Sequence, residues 1–117
     1  MDETKKLAAF CTRMRLADVP AEVVLKTKLC LLDWIANIYG SLELEAVQAV
    51  AAYCKSLGGP EQAQALGCGF RTSVATAAFM DGVTAEAIEA QDGVRFGGNH
   101  AVSAVMPAVF AVAEHAH

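Results

Sequence analysis

The chain has 117 residues, 55% of them hydrophobic and only 7% aromatic, with a formal net charge of −4. Charged residues at 19% and a mean hydropathy of +0.36 exclude a disordered chain. The absence of any Lys/Arg cluster excludes an electrostatic nucleic-acid binder. The longest nearly apolar run, Ala101–Ala113, has 13 residues and contains Ser103 and Pro107. A membrane-spanning helix needs roughly 20, so no membrane partner is expected.

Alanine accounts for 23 residues. So apolar a composition is unusual for the surface of a small free-standing domain, and part of the surface is expected to meet more chain or another subunit. Met1-Asp2-Glu3-Thr4-Lys5-Lys6 has no apolar run behind it, so no secretory leader is expected. Cys11, Cys30, Cys54 and Cys68 form no CxxC pair, and their gaps of 19, 24 and 14 match no zinc pattern. The first three are expected to be small buried hydrophobes in a reducing, cytoplasmic setting. Cys68, between Gly67 and Gly69, lacks an evident activating partner beyond Arg71.

In chain order, Leu7–Leu16 reads as an amphipathic helix, with Leu7, Phe10, Cys11 and Met14 at helical spacing. Asp18-Val19-Pro20 stops it and sets up a second helix, about Ala21–Tyr39. Its apolar residues wrap nearly all round, which predicts a central, buried helix ended by Gly40, with Ser41 capping the next helix. A third helix spans about Leu44–Ser56, and Gly58-Gly59-Pro60 ends it. Gln64–Gly67 is a short extended piece at best. Thr72 or Ser73 caps a fourth helix, which Gly82 is expected to break or kink ahead of a segment Thr84–Glu89. Gln91–Asn99 is a polar, glycine-containing loop. From His100 or Ala101 the chain is helical again, with Pro107 inside. The fold class is all-α, an antiparallel helical array in one domain over 1–117. The last apolar pattern reaches His117 without a glycine or polar tail, so a truncated domain is expected.

Chemistry concentrates on the loop between the last two helices. Glu86, Glu89, Gln91, Asp92, Arg95, Asn99 and His100 lie together there in an otherwise apolar half. If the loop folds back, Asp92 and His100 form an acid/base pair, the carboxylate fixing the imidazole tautomer. Arg95 offers a planar fork for a substrate carboxylate. The bland alternative is a turn cap at Asp92, a surface pair of Arg95 with Glu89, and a helix cap at His100. Glu86 and Glu89 read as a solvated face rather than paired catalytic carboxylates. His115 and His117 point to different helix faces, so no metal site is expected. Ser73 and Ser103 lack a nucleophile context, and Gly67-Cys68-Gly69 lacks the third glycine of a phosphate-binding fingerprint.

The order of these pieces resembles the N-terminal part of the MmgE/PrpD family, which includes 2-methylcitrate dehydratases, cis-aconitate decarboxylases and iminodisuccinate epimerases. The resemblance runs through nearly the whole chain. Leu7-Ala8-Ala9-Phe10 followed by Asp18-Val19-Pro20-Ala21-Glu22 looks like the family's opening. Leu31-Leu32-Asp33-Trp34-Ile35-Ala36 with Tyr39-Gly40-Ser41 is similar to its LLDxxA…GS segment. Leu66–Ser73 is similar to its LGxGxRTS stretch, and Met80-Asp81-Gly82 stands where the family usually has Ala-Asn-Gly. Asp92–His100 resembles the DDGHRF…HPG loop of the epimerase-like branch, and Ala104–Ala108 the helix after it. The resemblance implies a helical domain completed by a lid domain, usually as a homodimer or here with a companion chain. It implies work without metal or organic cofactor on a small polycarboxylate, by moving a proton on carbon next to a carboxylate. Asp92 and His100 would be catalytic, with Arg95 and Asn99 binding substrate.

The pattern departs from the family's at Glu86 and Val94, which replace histidines, at Gln91, which replaces an Asp, and at Ala101-Val102, which replace Pro-Gly. Two readings from other classes stand beside this one. One is a non-catalytic helical subunit or remnant that associates through an apolar surface. The other is a small-molecule-binding bundle without chemistry.

Overall fold

A computed structural model describes residues 2–117. In chain order they form α1 (Glu3–Arg13), a 3-10 turn (Leu16–Asp18), α2 (Ala21–Ser41), α3 (Glu45–Leu57), the strands β1 (Ala63–Ala65) and β2 (Phe70–Thr72), α4 (Val74–Glu86) and α5 (Ala101–Ala116). The fold is all-α with one small antiparallel hairpin between α3 and α4.

The hairpin is built by glycines. Gly58, at φ +63, ends α3, and Gly67 and Gly69 turn the chain between the strands at φ +71 and +73. At Gly67 a Cβ would also stand 2.8 Å from Leu42 Cδ1, so the turn lies against the α2–α3 corner as only glycine allows. Ala63 pairs with Thr72 and Ala65 with Phe70. Ala63 and Ala65 are buried while Gln64 faces out. The other edge of β1 is closed by carboxylates. The Gln64 N–H donates to Glu114 Oε2 at 2.9 Å, and the Leu66 N–H to Asp81 Oδ1 at 2.8 Å. Arg71 on β2 reaches the other oxygen of Glu114, so α4, α5 and the hairpin are tied at one point.

The central helix is α4, not α2. It supplies a buried residue to each of three clusters. Ala85 packs with Trp34 and Ile38, Met80 with Val47, Cys54 and Ala65, and Ala77 with Ala63 and Ala111. Small residues explain this, because Ala77, Ala78, Gly82 and Ala85 let neighbours approach from several sides. In α2 only Trp34, Asn37, Ile38 and Ser41 are buried. Leu25, Leu29 and Leu32 are exposed, so its all-round hydrophobicity is not matched by burial among the described residues. The amphipathic α1 forms as expected, but none of its residues is buried. Cys11 on α1 is exposed for that reason, against expectation, while Cys54 is buried and Cys30 and Cys68 are half-buried.

Two glycines expected to stop or break helices are packing sites. Helix α2 runs through Gly40, where a Cβ would meet Ile88 Cδ1 at 3.2 Å. Helix α4 runs through Gly82, where a Cβ would meet Ser103 O and Pro107 Cγ of α5 at 3.7 Å. Pro107 is accommodated inside α5 at that contact. Ser41 does not cap α3. Its hydroxyl donates to the carbonyls of Ile38 at 2.9 Å and Thr84 at 2.7 Å, joining the C-terminal ends of α2 and α4.

Ser73 is the N-cap of α4, its Oγ accepting from the Thr76 N–H at 3.2 Å. Ser73→Ala is expected to cost about 1 kcal/mol of unfolding free energy by chemical denaturation. An unchanged midpoint would mean that the cap contributes nothing to stability.

Candidate functional site: the loop between α4 and α5

Helix α4 ends at Glu86, and the chain bends back at Glu89, which adopts a left-handed φ of +56. Thr84–Glu89 is therefore the end of α4 and a turn, not a second helical segment. Glu86 is half-buried, and its Oε2 accepts from Gln91 Nε2 at 2.5 Å, fixing the entry to the loop. It is not a solvated partner of Glu89.

The loop closes on itself. Val94 N donates to Asn99 O at 2.9 Å, and the N–H groups of Gly97 and Gly98 both donate to Val94 O, at 3.0 and 2.9 Å. Gly98 has φ +58. A Cβ on Gly97 would press against Val94 Cγ1 at 3.3 Å and the Asn99 amide at 3.4 Å. This tight turn lifts Arg95 and Phe96 to its tip, where Phe96 is 100% exposed.

Asp92 and His100 do meet, but through the main chain. His100 Nδ1 lies 2.6 Å from the Asp92 carbonyl oxygen. A carbonyl only accepts, so Nδ1 carries the proton, and in the neutral ring Nε2 keeps the lone pair. The Asp92 carboxylate instead accepts from the Val102 N–H at 3.3 Å, in the first turn of α5. The expected carboxylate–imidazole contact is therefore replaced. The carboxylate anchors the helix start, and the carbonyl orients the ring. His100 stands at the N-cap position of α5 without a side-chain capping bond. Arg95 makes no ion pair among the described residues, Glu89 included.

Two depressions are lined by the two members of the Asp92–His100 link. One, of about 480 Å³, is lined by Arg95, Asn99 and His100 with the loop glycines. The other, of about 330 Å³, lies between α2 and the start of the loop and is lined by Lys26, Cys30, Asp33, Gln91 and Asp92. The four residues singled out from the sequence, Asp92, Arg95, Asn99 and His100, thus share one loop. The α2 wall is not among the residues singled out, although Lys26, Leu29, Cys30 and Asp33 recur at the spacing of one helix face.

A second polar point is not among the candidate site residues read from the sequence, where Asp81 figures only as standing in place of the family's usual Asn. Asp81 is 1% exposed in the middle of α4. Burial pushes its carboxyl up to about 7, against the pull of the Leu66 N–H and with Glu114 adding repulsion. Cys68 beside it is raised as well, by burial first and then by Asp81. Glu114 is lowered, chiefly by the Gln64 N–H and also by Arg71. In the sequence Asp81 is also a lone acid within an apolar helical run. Among the described residues no group of three or more His, Cys, Asp or Glu could hold a metal ion. No described helix is long and apolar enough to cross a membrane.

Helices around a small-residue centre, joined by a glycine-rich loop that presents an oriented imidazole, define an α-helical domain with a polar site at one connection. The family model for the MmgE/PrpD N-terminal domain matches residues 5–117. The chain therefore belongs to the MmgE/PrpD family, and the region matched is its N-terminal domain. No curated protein and no solved structure matches the chain.

Proposed function

We propose that this domain carries part of the active site of a lyase or epimerase that moves a proton on carbon next to a carboxylate of a small polycarboxylate. The observation that carries the reading is the His100 ring, held through Nδ1 by the Asp92 carbonyl at 2.6 Å, with no protein partner on Nε2 among the described residues. Neutral His100 accepts the proton at Nε2, and the carbonyl then stabilises the imidazolium. The Arg95 guanidinium binds a carboxylate and favours the negative charge that develops beside it. Asn99 lines the same depression. Asp92 acts as the orienter of His100 and, through its carboxylate, of the α5 start. The Asp92-Gly93-Val94-Arg95-Phe96 stretch favours the epimerase-like branch. In that branch the second acid comes from protein outside these residues.

Further chain, a second copy or a companion subunit completes the site. Supporting this, α1 has no buried residue and Leu32 of α2 is 64% exposed. A cytoplasmic location fits the four free cysteines. The same apolar faces favour a second reading, a helical subunit kept for association alone.

Solvent exchange separates the two. The protein, together with the further chain or subunit that completes the site, is incubated in deuterium oxide with cis-aconitate, 2-methylcitrate and iminodisuccinate in turn, and the hydrogens next to their carboxylates are followed by NMR. Exchange is expected with at least one, and His100→Gln is expected to slow it about 100-fold or more. No exchange by the wild-type protein, or equal exchange by the variant, leaves association as the function.

A further inference from the structure

One face of α2 looks onto the loop. Lys26, Leu29, Cys30 and Asp33 lie at i, i+3, i+4 and i+7 and form one wall of the 330 Å³ cleft whose other wall is Ala90–Asp92. Neither Lys26 nor Asp33 takes part in an ion pair among the described residues. They are seven residues apart, about 10 Å along the helix, so they do not neutralise each other. Gln91, whose buried Oε1 has no hydrogen-bond partner, lines the same cleft. Asp92 belongs to this cleft, and its carbonyl holds His100, which belongs to the depression containing Arg95. Two unpaired cations, Lys26 and Arg95, thus stand in separate depressions, one lined by Asp92 and the other by His100, which the Asp92–His100 hydrogen bond links.

We propose that Lys26 is a second carboxylate anchor, so that a ligand with two carboxylates spans the Asp92–His100 link, one carboxylate on Arg95 and the other on Lys26. This rests on the polycarboxylate reading above and adds the residue that selects for a second carboxylate. Asp33 bounds the far end of the cleft and repels a third negative group there.

The test uses succinate and butyrate, which share a four-carbon chain and differ by one carboxylate. Their dissociation constants are measured by NMR titration on the wild-type protein and on Lys26→Met, Lys26→Arg and Lys28→Met. Wild type is expected to prefer succinate. Lys26→Met is expected to weaken succinate about tenfold and leave butyrate unchanged. Lys26→Arg is expected to restore succinate binding, and Lys28→Met, on a different helix face, to change nothing. If Lys26→Met binds succinate as wild type does, or Lys28→Met loses as much, the anchor is wrong while the polycarboxylate reading stands. If the wild-type protein does not distinguish succinate from butyrate, or binds neither, the polycarboxylate reading falls and the anchor with it.

Discussion

Asp81→Asn is expected to stabilise the protein at pH 8 by about 4 kcal/mol, at the 1.36 kcal/mol that each unit of pKa shift represents. The wild-type carboxyl is raised from 3.8 to about 7, mainly by burial. Between those values the folded state holds a proton that the unfolded state has released, so wild-type stability falls as pH rises from about 4 to about 7 and levels off above. Asparagine keeps an Oδ1 to accept the Leu66 N–H and carries no charge to bury. The variant is therefore expected to show no loss across that window. Glu114 acts in the opposite sense. Its carboxyl is lowered, so its contribution is present above about 4.5 and is lost as pH falls below it. Urea denaturation at pH 3 and 4.5 reads the Glu114 effect, and at pH 4.5, 6 and 8 the Asp81 effect. A wild-type midpoint that rises with pH through this range would contradict the placement of Asp81.

Trp34→Ala is expected to cost about 3–5 kcal/mol, a large part of the stability of a small domain. Trp34 is 1% exposed, and its ring lies 5.6 Å from that of Phe110, tilted by 56°. Ile38 and Ala85 bury against it, and Leu31, Ile35 and Met106 close round it. It thus links α2, α4 and α5, and its removal opens a cavity that three helices would have to collapse to fill. Leu32→Ala, two residues earlier on an exposed face, is expected to change stability by less than about 0.5 kcal/mol. Because Trp34 is the only tryptophan, both variants are followed by helical circular dichroism rather than fluorescence. Equal losses at the two positions would mean that the α2 faces are not divided as described.

Helical spacing locates α2, α3 and α5 from the residues alone, because a buried face leaves the same periodic mark whatever covers it. Spacing does not identify the central helix. Apolar character all round α2 reflects how much surface wants cover, whereas the crowding round α4 depends on how small Ala77, Gly82 and Ala85 are. Gly40 and Gly82 look like helix ends by local propensity, but tertiary contact with Ile88 and Pro107 decides their use. At the site, residue type and proximity in sequence place Asp92 and His100 together. That the carbonyl rather than the carboxylate meets the ring depends on the turn through Gly97 and Gly98, which no side-chain pattern encodes. Lys26 lies more than 60 residues upstream of Asp92, and only packing brings its face of α2 to the loop.

If a polycarboxylate meets His100, the imidazole resonances report it without any assumption about the reaction. The chain has three histidines, and His115 and His117 lie at the far end of α5. Titration with succinate near pH 7 is expected to shift the His100 ring protons, as an anion brought beside the ring does, while those of His115 and His117 stay in place. If all three respond alike, or only the two terminal histidines respond, the loop between α4 and α5 is not where the substrate binds.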